Sequence, residues 1–517
     1  MLPVAHFHRL YLTHRLVLSI CLILGSIPLW AQSDTDSTNT QRLLLLLDQF
    51  QQGTVARHGT VALSVRRVRD GEPLIGYNSR QSLSTASTLK LVTTATALAV
   101  LGGTYSYTTV LEYDGQLRDS TLTGNLYIRG SGDPSLGTWR YSSGGSLRSP
   151  DLPTLLAIWS DVIRRAGIRR IEGRVVGDGL IYNDPPVPDT WPYGDLGNYY
   201  GAGLSGLNLN ENLYRVFFRP GKTVGTAATL LRTDPPLPYL TLHNTVSTDA
   251  ADTGDQVNIY GAPLANQQWL TGKIPVDSKE FSVKGSLPNP AYFAAYALTE
   301  QLRRDSVRVG NEPAAYGSGL PAPKPAGRRT LLYTHRSPSL TELAQQTNFQ
   351  SVNLYAEALL RTAALQLNPG VQNTDEAVAA VAKFWRSKGV NLDGFRMRDG
   401  SGLSTVGGLS ADNMTGILSR MGAERTFPAF YETIPVVGQS GTVRSLARNT
   451  AAAGNVRAKS GSIEGVRAYA GYFTAADGEL MAFSVMVNRF TPGQNRALTA
   501  QLERILAAMV QLNGKKE

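Results

Sequence analysis

Two spacings of apolar residues alternate along the chain. A period of two runs through "TVALSVRRVRDGEPLIGYN" (60–78) on both sides of "RDG", and through "VRAYAGYFTAADGELMAFSVMVN" (466–488) on both sides of "ADGE". Each predicts a β-hairpin. Helical spacing predicts a short helix over 41–53 and a helix through "STASTLKLVTTATALAVLGG" (84–103), ending near Leu101 before a glycine pair. Further helices are expected in "DLPTLLAIWSDVIRRAG" (151–167), "PAYFAAYALTEQLRRD" (290–305), "LTELAQQTNFQSVNLYAEALLRTAALQL" (340–367), "DEAVAAVAKFWRSKG" (375–389) and "RALTAQLERILAAMVQL" (496–512). In the last, Leu498, Leu502, Ile505, Met509 and Leu512 share one face, which suits a core-facing helix, with anchoring at a membrane surface as the alternative. Between 104 and 335 the chain is mostly Gly- and Pro-rich strand-and-turn sequence, and "EPAAYGSGLPAPKPAG" (312–327) is its most linker-like piece.

The first 31 residues have a separate character. His6, His8, Arg9 and Arg15 precede "LVLSICLILGSIPLWAQ", which is short for a bilayer span and reads as a secretory signal cut after about Ala31. Cleavage removes Cys21, the only cysteine, and leaves a thiol-free chain suited to an oxidising compartment. It also removes Arg9 and Arg15 from the formal net charge of +10. No later apolar run is long enough to cross a bilayer, so no stable membrane span is expected after signal removal. The remaining positive charge is mostly arginine scattered singly, without the block or basic helix of a nucleic-acid binder. His58, His243 and His335 are isolated from one another and from carboxylates at ligand spacing, so neither a metal nor another cofactor is expected.

Candidate chemistry rests on three short motifs. Ser87-Thr88-Leu89-Lys90 is the only S-x-x-K in the chain. Positions i and i+3 of a helix share a face, so Lys90 can reach the Ser87 hydroxyl and serve as its base if burial or nearby cations lower the pKa of the amine. Alone, the same spacing fits an ordinary polar helix face. Ser351-Val352-Asn353 lies between two helical stretches, and the other S-x-N, Ser37 to Asn39, falls in the linker after the leader. Lys459-Ser460-Gly461 opens the second hairpin, with Ser462 next along the strand.

Three motifs in this order resemble the S-x-x-K, S-D-N and K-T-G set of β-lactamases and penicillin-binding proteins. More than two hundred residues separate Ser87 from Ser351, which resembles the class C low-molecular-mass penicillin-binding proteins, D-alanyl-D-alanine carboxypeptidases and endopeptidases of peptidase family S13. The likeness extends to "GNLYIRGSGDPSL" (124–136), "IEGRVVGDGLIYND" (171–184), "VKGSLP" (283–288), "DGSGLS" (399–404) and "AKSGSIEGVRAYAGY" (458–472). It departs at Val352, where Asp is frequent, and at Ser460, where threonine is usual.

The resemblance implies an α/β (α+β) fold in which an antiparallel sheet is flanked by helices and β-rich domains are inserted between the first and second motifs. The corresponding division is a leader (1–31), a first catalytic part (32–103), inserted domains (104–335) and a second catalytic part (336–517). Ser87, Lys90 and Ser351 are then expected to be catalytic, and Asn353, Lys459, Ser460, Gly461 and Ser462 to bind substrate, with the backbone N–H groups of Ser87 and Ser462 as the oxyanion hole. Asp178 and Tyr182 match positions that contact a diaminopimelate side chain in the family; locally they also read as a turn aspartate and a packed tyrosine. The implied partners are peptidoglycan stem peptides and, as covalent inhibitors, β-lactams. The implied location is the periplasm or cell envelope. The alternatives are a β-lactamase or esterase of the same fold, or a non-catalytic peptidoglycan-binding protein. The long interval after Ser87 and the lack of a Glu-bearing deacylation loop weigh against the first. The intact five residues Ser87, Lys90, Ser351, Asn353 and Lys459 weigh against the second.

Overall fold

The computed structural model describes residues 30–141, 149–320 and 327–514. Residues 1–29, which include Cys21 and all but the last two residues of the expected leader, lie outside the described residues. The first hairpin is β1 (Thr60–Arg67) and β2 (Pro73–Tyr77). From the other end of the chain come β3 (Arg457–Ile463), β4 (Val466–Thr474) and β5 (Leu480–Asn488). They join into one sheet of order β3-β4-β5-β1-β2, antiparallel throughout, so the two chain ends meet at the β5–β1 pairing.

Both faces of this sheet are covered. On one lie α1 (Trp30–Gln52) and the C-terminal helix Asn495–Met509, whose Leu43, Leu47, Leu498, Leu502 and Ile505 pack on Leu63, Val65, Tyr469, Phe473 and Phe483. The apolar face of the C-terminal helix is thus core, and none of it is left for a membrane. On the other face lie α2 (Lys90–Leu101), α3 (Leu340–Phe349), α4 (Asn353–Leu367), α5 (Thr374–Ser387) and α6 (Ala411–Met421). They meet Ala468, Ala470, Tyr472, Ala482 and Met486. The alternation read from β4 and β5 is therefore largely one of larger against smaller side chains, and on this face α6 lies directly on the sheet, with Tyr472 Oη donating to the Leu418 carbonyl at 2.8 Å. The α6 helix was not foreseen. It starts in a capping box between Ser410 and Asn413, and Gly416 interrupts its apolar pattern.

The chain leaves this module along Thr108–Tyr113 and returns along Thr330–Arg336, which pair antiparallel as two neighbours in a five-stranded sheet. Helices Leu152–Arg165 and Pro290–Arg304 bury Trp159 and Phe293 in the same core as that sheet. Each begins with a side-chain cap, Asp151 or Asn289, and a proline in its first turn. Further small sheets include the pairing of Leu213–Arg219 with Phe281–Ser286. The linker-like stretch begins instead with a paired strand, Ala314–Tyr316, because its apolar residues close the edge of the sheet beside Val175–Asp178; residues 321–326 lie outside the described residues. Residues 184–212, with little regular structure, run from the insertion toward Ser87.

Candidate active site

Ser87 lies in a 3-10 turn, Ala86–Leu89, rather than in the α-helix expected from the sequence; α2 begins at Lys90 itself. A 3-10 turn eclipses positions i and i+3, which tightens the pairing that S-x-x-K anticipates. Lys90 Nζ donates to Ser87 Oγ at 2.9 Å, to Asn353 Oδ1 at 2.6 Å and to the Ser401 carbonyl at 2.7 Å. Lys90 is wholly buried, and this burial lowers its pKa to about 7 against the opposing pull of the Asp399 and Glu357 carboxylates.

The turn that carries Ser87 is held from below. Ala86 has φ of +43°, and a Cβ on Gly402 would come within 2.0 Å of the Ala86 carbonyl oxygen, so the "DGSGLS" loop passes directly against it. From the other side comes β3, an edge strand of the sheet. A Cβ on Gly461 would lie 2.4 Å from the Thr85 carbonyl oxygen and 3.1 Å from the Ser87 nitrogen. Only glycine permits that approach, which brings the K-S-G strand against the nucleophile turn.

The second and third motifs meet through Lys459. Its buried Nζ donates to Ser351 Oγ at 3.0 Å and to the Ser460 carbonyl at 2.7 Å. Burial, reinforced by the Lys90 charge, holds its pKa well below that of an ordinary lysine. Ser351 has φ of +58°, a left-handed conformation that costs a non-glycine residue about 1–3 kcal/mol and that the surrounding packing holds in place. Asn353, the first residue of α4, is oriented unambiguously: its Nδ2 donates to the Tyr200 carbonyl at 2.7 Å, which leaves Oδ1 for Lys90. Ser460 Oγ bonds Thr442 Oγ1 at 2.7 Å, and Ser462 is exposed next along the strand.

Four supporting residues were missed in the sequence. Glu357, one helical turn beyond Asn353, accepts the Gly400 N–H at 2.8 Å; its burial and the nearby Asp399 push its carboxyl above the usual range. Asp399 accepts from Gly402 N at 2.8 Å, Ser404 N at 2.7 Å and Trp191 Nε1 at 2.9 Å. Trp191 and Tyr200 both come from residues 184–212. An acid in the apolar stretch "NLYAEALL" was a readable signal for Glu357; the irregular sequence around Trp191 and Tyr200 offered none. Asp178 and Tyr182 do not join the cluster around Ser87. The Asp178 carboxylate is buried and paired with Arg329 at 2.6 Å, and the buried Tyr182 shares a hydrogen bond with Thr362 at 3.0 Å.

Known proteins resemble this chain over most of its length. The profile described as the D-Ala-D-Ala carboxypeptidase 3 (S13) family matches residues 47–509. The chain is 26% identical over 484 residues to a D-alanyl-D-alanine carboxypeptidase of Actinomadura sp. (strain R39), covering 90% of this chain and 84% of that protein. It is 24% identical over 455 residues to the D-alanyl-D-alanine carboxypeptidase DacB of Haemophilus influenzae, covering 86% and 90% respectively. Among solved structures, penicillin binding protein 4 (dacB) from Haemophilus influenzae superposes with a TM-score of 0.75 at 22% identity, over 90% of this chain and 99% of that one. The fold is therefore that of the penicillin-binding proteins, an α/β arrangement of an antiparallel sheet flanked by helices. Because the profile runs unbroken from before the Ser87 turn to the C-terminal helix, the chain belongs to the D-Ala-D-Ala carboxypeptidase 3 (S13) family.

Proposed function

We propose that this protein is a serine-type D-Ala-D-Ala carboxypeptidase of peptidoglycan stem peptides in the cell envelope, that it also cuts D-alanyl cross-links, and that it works through an acyl-enzyme on Ser87. The observation that carries this reading is the Ser87 hydroxyl lying 2.9 Å from a buried amine whose pKa is about 7. Neutral Lys90 takes the hydroxyl proton as Oγ attacks the carbonyl of the penultimate D-alanine. The oxyanion settles between the N–H groups of Ser87 and Ser462. The C–N bond then breaks, and the departing amine of the terminal D-alanine receives a proton by way of Ser351, which lies 3.0 Å from Lys459 Nζ. Water then attacks the ester; its proton replaces the one passed on through Ser351, and Lys90 returns its proton to the Ser87 oxygen, which restores the serine.

The remaining residues fit substrate positioning. Asn353 bonds the substrate amide, Lys459 and Ser460 take its terminal carboxylate, and Gly461 leaves room for the peptide along β3. Asp178 serves a substrate amine only by exchanging Arg329 for it. A β-lactam acylates the same serine but keeps its leaving group tethered, so the ester persists. D-alanine release from a stem pentapeptide, compared between the parent and Ser87→Ala, tests the assignment: the parent releases D-alanine and the variant none. Release by the variant would contradict the role of Ser87.

A further inference from the structure

The strands Leu213–Arg219 and Phe281–Ser286 set Arg215 directly opposite Lys284. Residues directly opposite each other in an antiparallel pair project from the same face, and like charges there repel. Arg140 adds a third cation to this neighbourhood, but it is neutralised by a two-point ion pair with Glu211, Nη2 to Oε2 at 2.9 Å. Lys284 is half-buried, and among the described residues no carboxylate lies within ion-pairing distance of it. Its ammonium instead sits 5.5 Å from the centre of the Tyr199 ring, which is 52% exposed. Arg215 is exposed and donates to Ser282 Oγ at 3.4 Å, so water screens part of the repulsion; the Tyr199 contact offsets little of what remains or of the cost of the partly dehydrated amine.

This arrangement borders the Ser87 cluster. Gly197 accepts the Ser286 N–H at 2.9 Å, and Asn198 bridges to Gly285, so residues 197–200 are pinned along the strand that carries Lys284. The next link is the Tyr200 carbonyl, bonded to Asn353, which in turn contacts Lys90. Tyr199 and Lys284 thus flank the segment whose next residue, Tyr200, bonds Asn353 beside Lys90.

We propose that Lys284 and Arg215, beside the Tyr199 ring, form an anion subsite at the rim of the active site that takes a carboxylate of the stem peptide upstream of the scissile D-alanyl bond. This rests on the peptidase reading above. A bound carboxylate removes the repulsion between the two cations and gains a charge-assisted hydrogen bond from each. The bound negative charge offsets the burial and the Arg215 and Arg140 charges that, against Glu211, lower the Lys284 pKa.

Two synthetic peptides ending in D-Ala-D-Ala, identical except that one upstream carboxylate is free in the first and amidated in the second, distinguish the possibilities. For Lys284→Met, KM for the free-carboxylate peptide rises about tenfold with kcat unchanged, while the amidated peptide behaves as with the parent. Lys284→Arg restores the parent KM. Equal effects on the two peptides, or no effect on either, overturn the subsite while leaving the peptidase reading intact. If the parent cleaves neither peptide, the peptidase reading falls and the subsite with it.

Discussion

Lys90 concentrates the chemistry of the site in one side chain. Its amine is buried, bonded to Ser87, Asn353 and Ser401, and lowered to about 7 by burial. A base works only when unprotonated, so the rate of Ser87 acylation should rise as pH passes upward through about 7 and level off above it. The buried Lys459 and Glu357 act on the same amine, so the apparent value reports these neighbours together with Lys90. Penicillin acylation rates measured from pH 5 to 9 provide the check, and a rate that falls across that limb would contradict Lys90 as base. The same residue shows what a sequence discloses most readily. The link from Ser87 to Lys90 spans three positions and was legible, whereas the link from Lys90 to Asn353 spans 263 and required the family pattern to be noticed. Glu357 and Asp399 contribute by burial and by contacts with loop N–H groups, which no spacing encodes.

At the scale of elements, the site is a junction of a 3-10 turn, the start of α4, the edge strand β3, and two irregular stretches, 184–212 and 399–404. The regular parts were readable because their period and caps are local. The hairpins about "RDG" and "ADGE" form as β1–β2 and β4–β5, and the helices expected in 151–167 and 290–305 form as Leu152–Arg165 and Pro290–Arg304. The irregular parts hold their shape through distant partners, as Trp191 does with Asp399 across 208 positions. Trp191→Phe keeps most of the ring volume and removes that hydrogen bond to a carboxylate. It should lower unfolding stability by about 1.5–3 kcal/mol and slow penicillin acylation, measured by denaturant titration and by stopped-flow labelling. A variant matching the parent in both would show that residues 184–212 do not brace the "DGSGLS" loop.

The whole molecule depends on how the insertion docks. Its chain departs and returns on adjacent strands, so the catalytic sheet can assemble from both chain ends while the inserted part folds around its own core. Glu211 fastens the two together: buried, with φ of +54°, it binds Arg140 and Thr138 within the insertion and the Tyr355 hydroxyl of α4 at 3.1 Å. Glu211→Ala leaves Arg140 without its partner and should cost about 3–5 kcal/mol of unfolding free energy, read by denaturant titration. A loss below about 1 kcal/mol, the range of a surface ion pair, would mean that this contact does not fasten the insertion. None of this docking was legible beforehand, since Arg140, Glu211 and Tyr355 belong to no shared pattern in the sequence. The central claim, a nucleophile at Ser87 that forms a lasting acyl-enzyme with β-lactams, is tested most directly by intact mass. Purified mature protein and its Ser87→Ala variant are mixed with penicillin and followed over hours. A persistent adduct on the parent alone is the expected result. An adduct on the variant, or drug consumed by the parent with no lasting adduct, would contradict it.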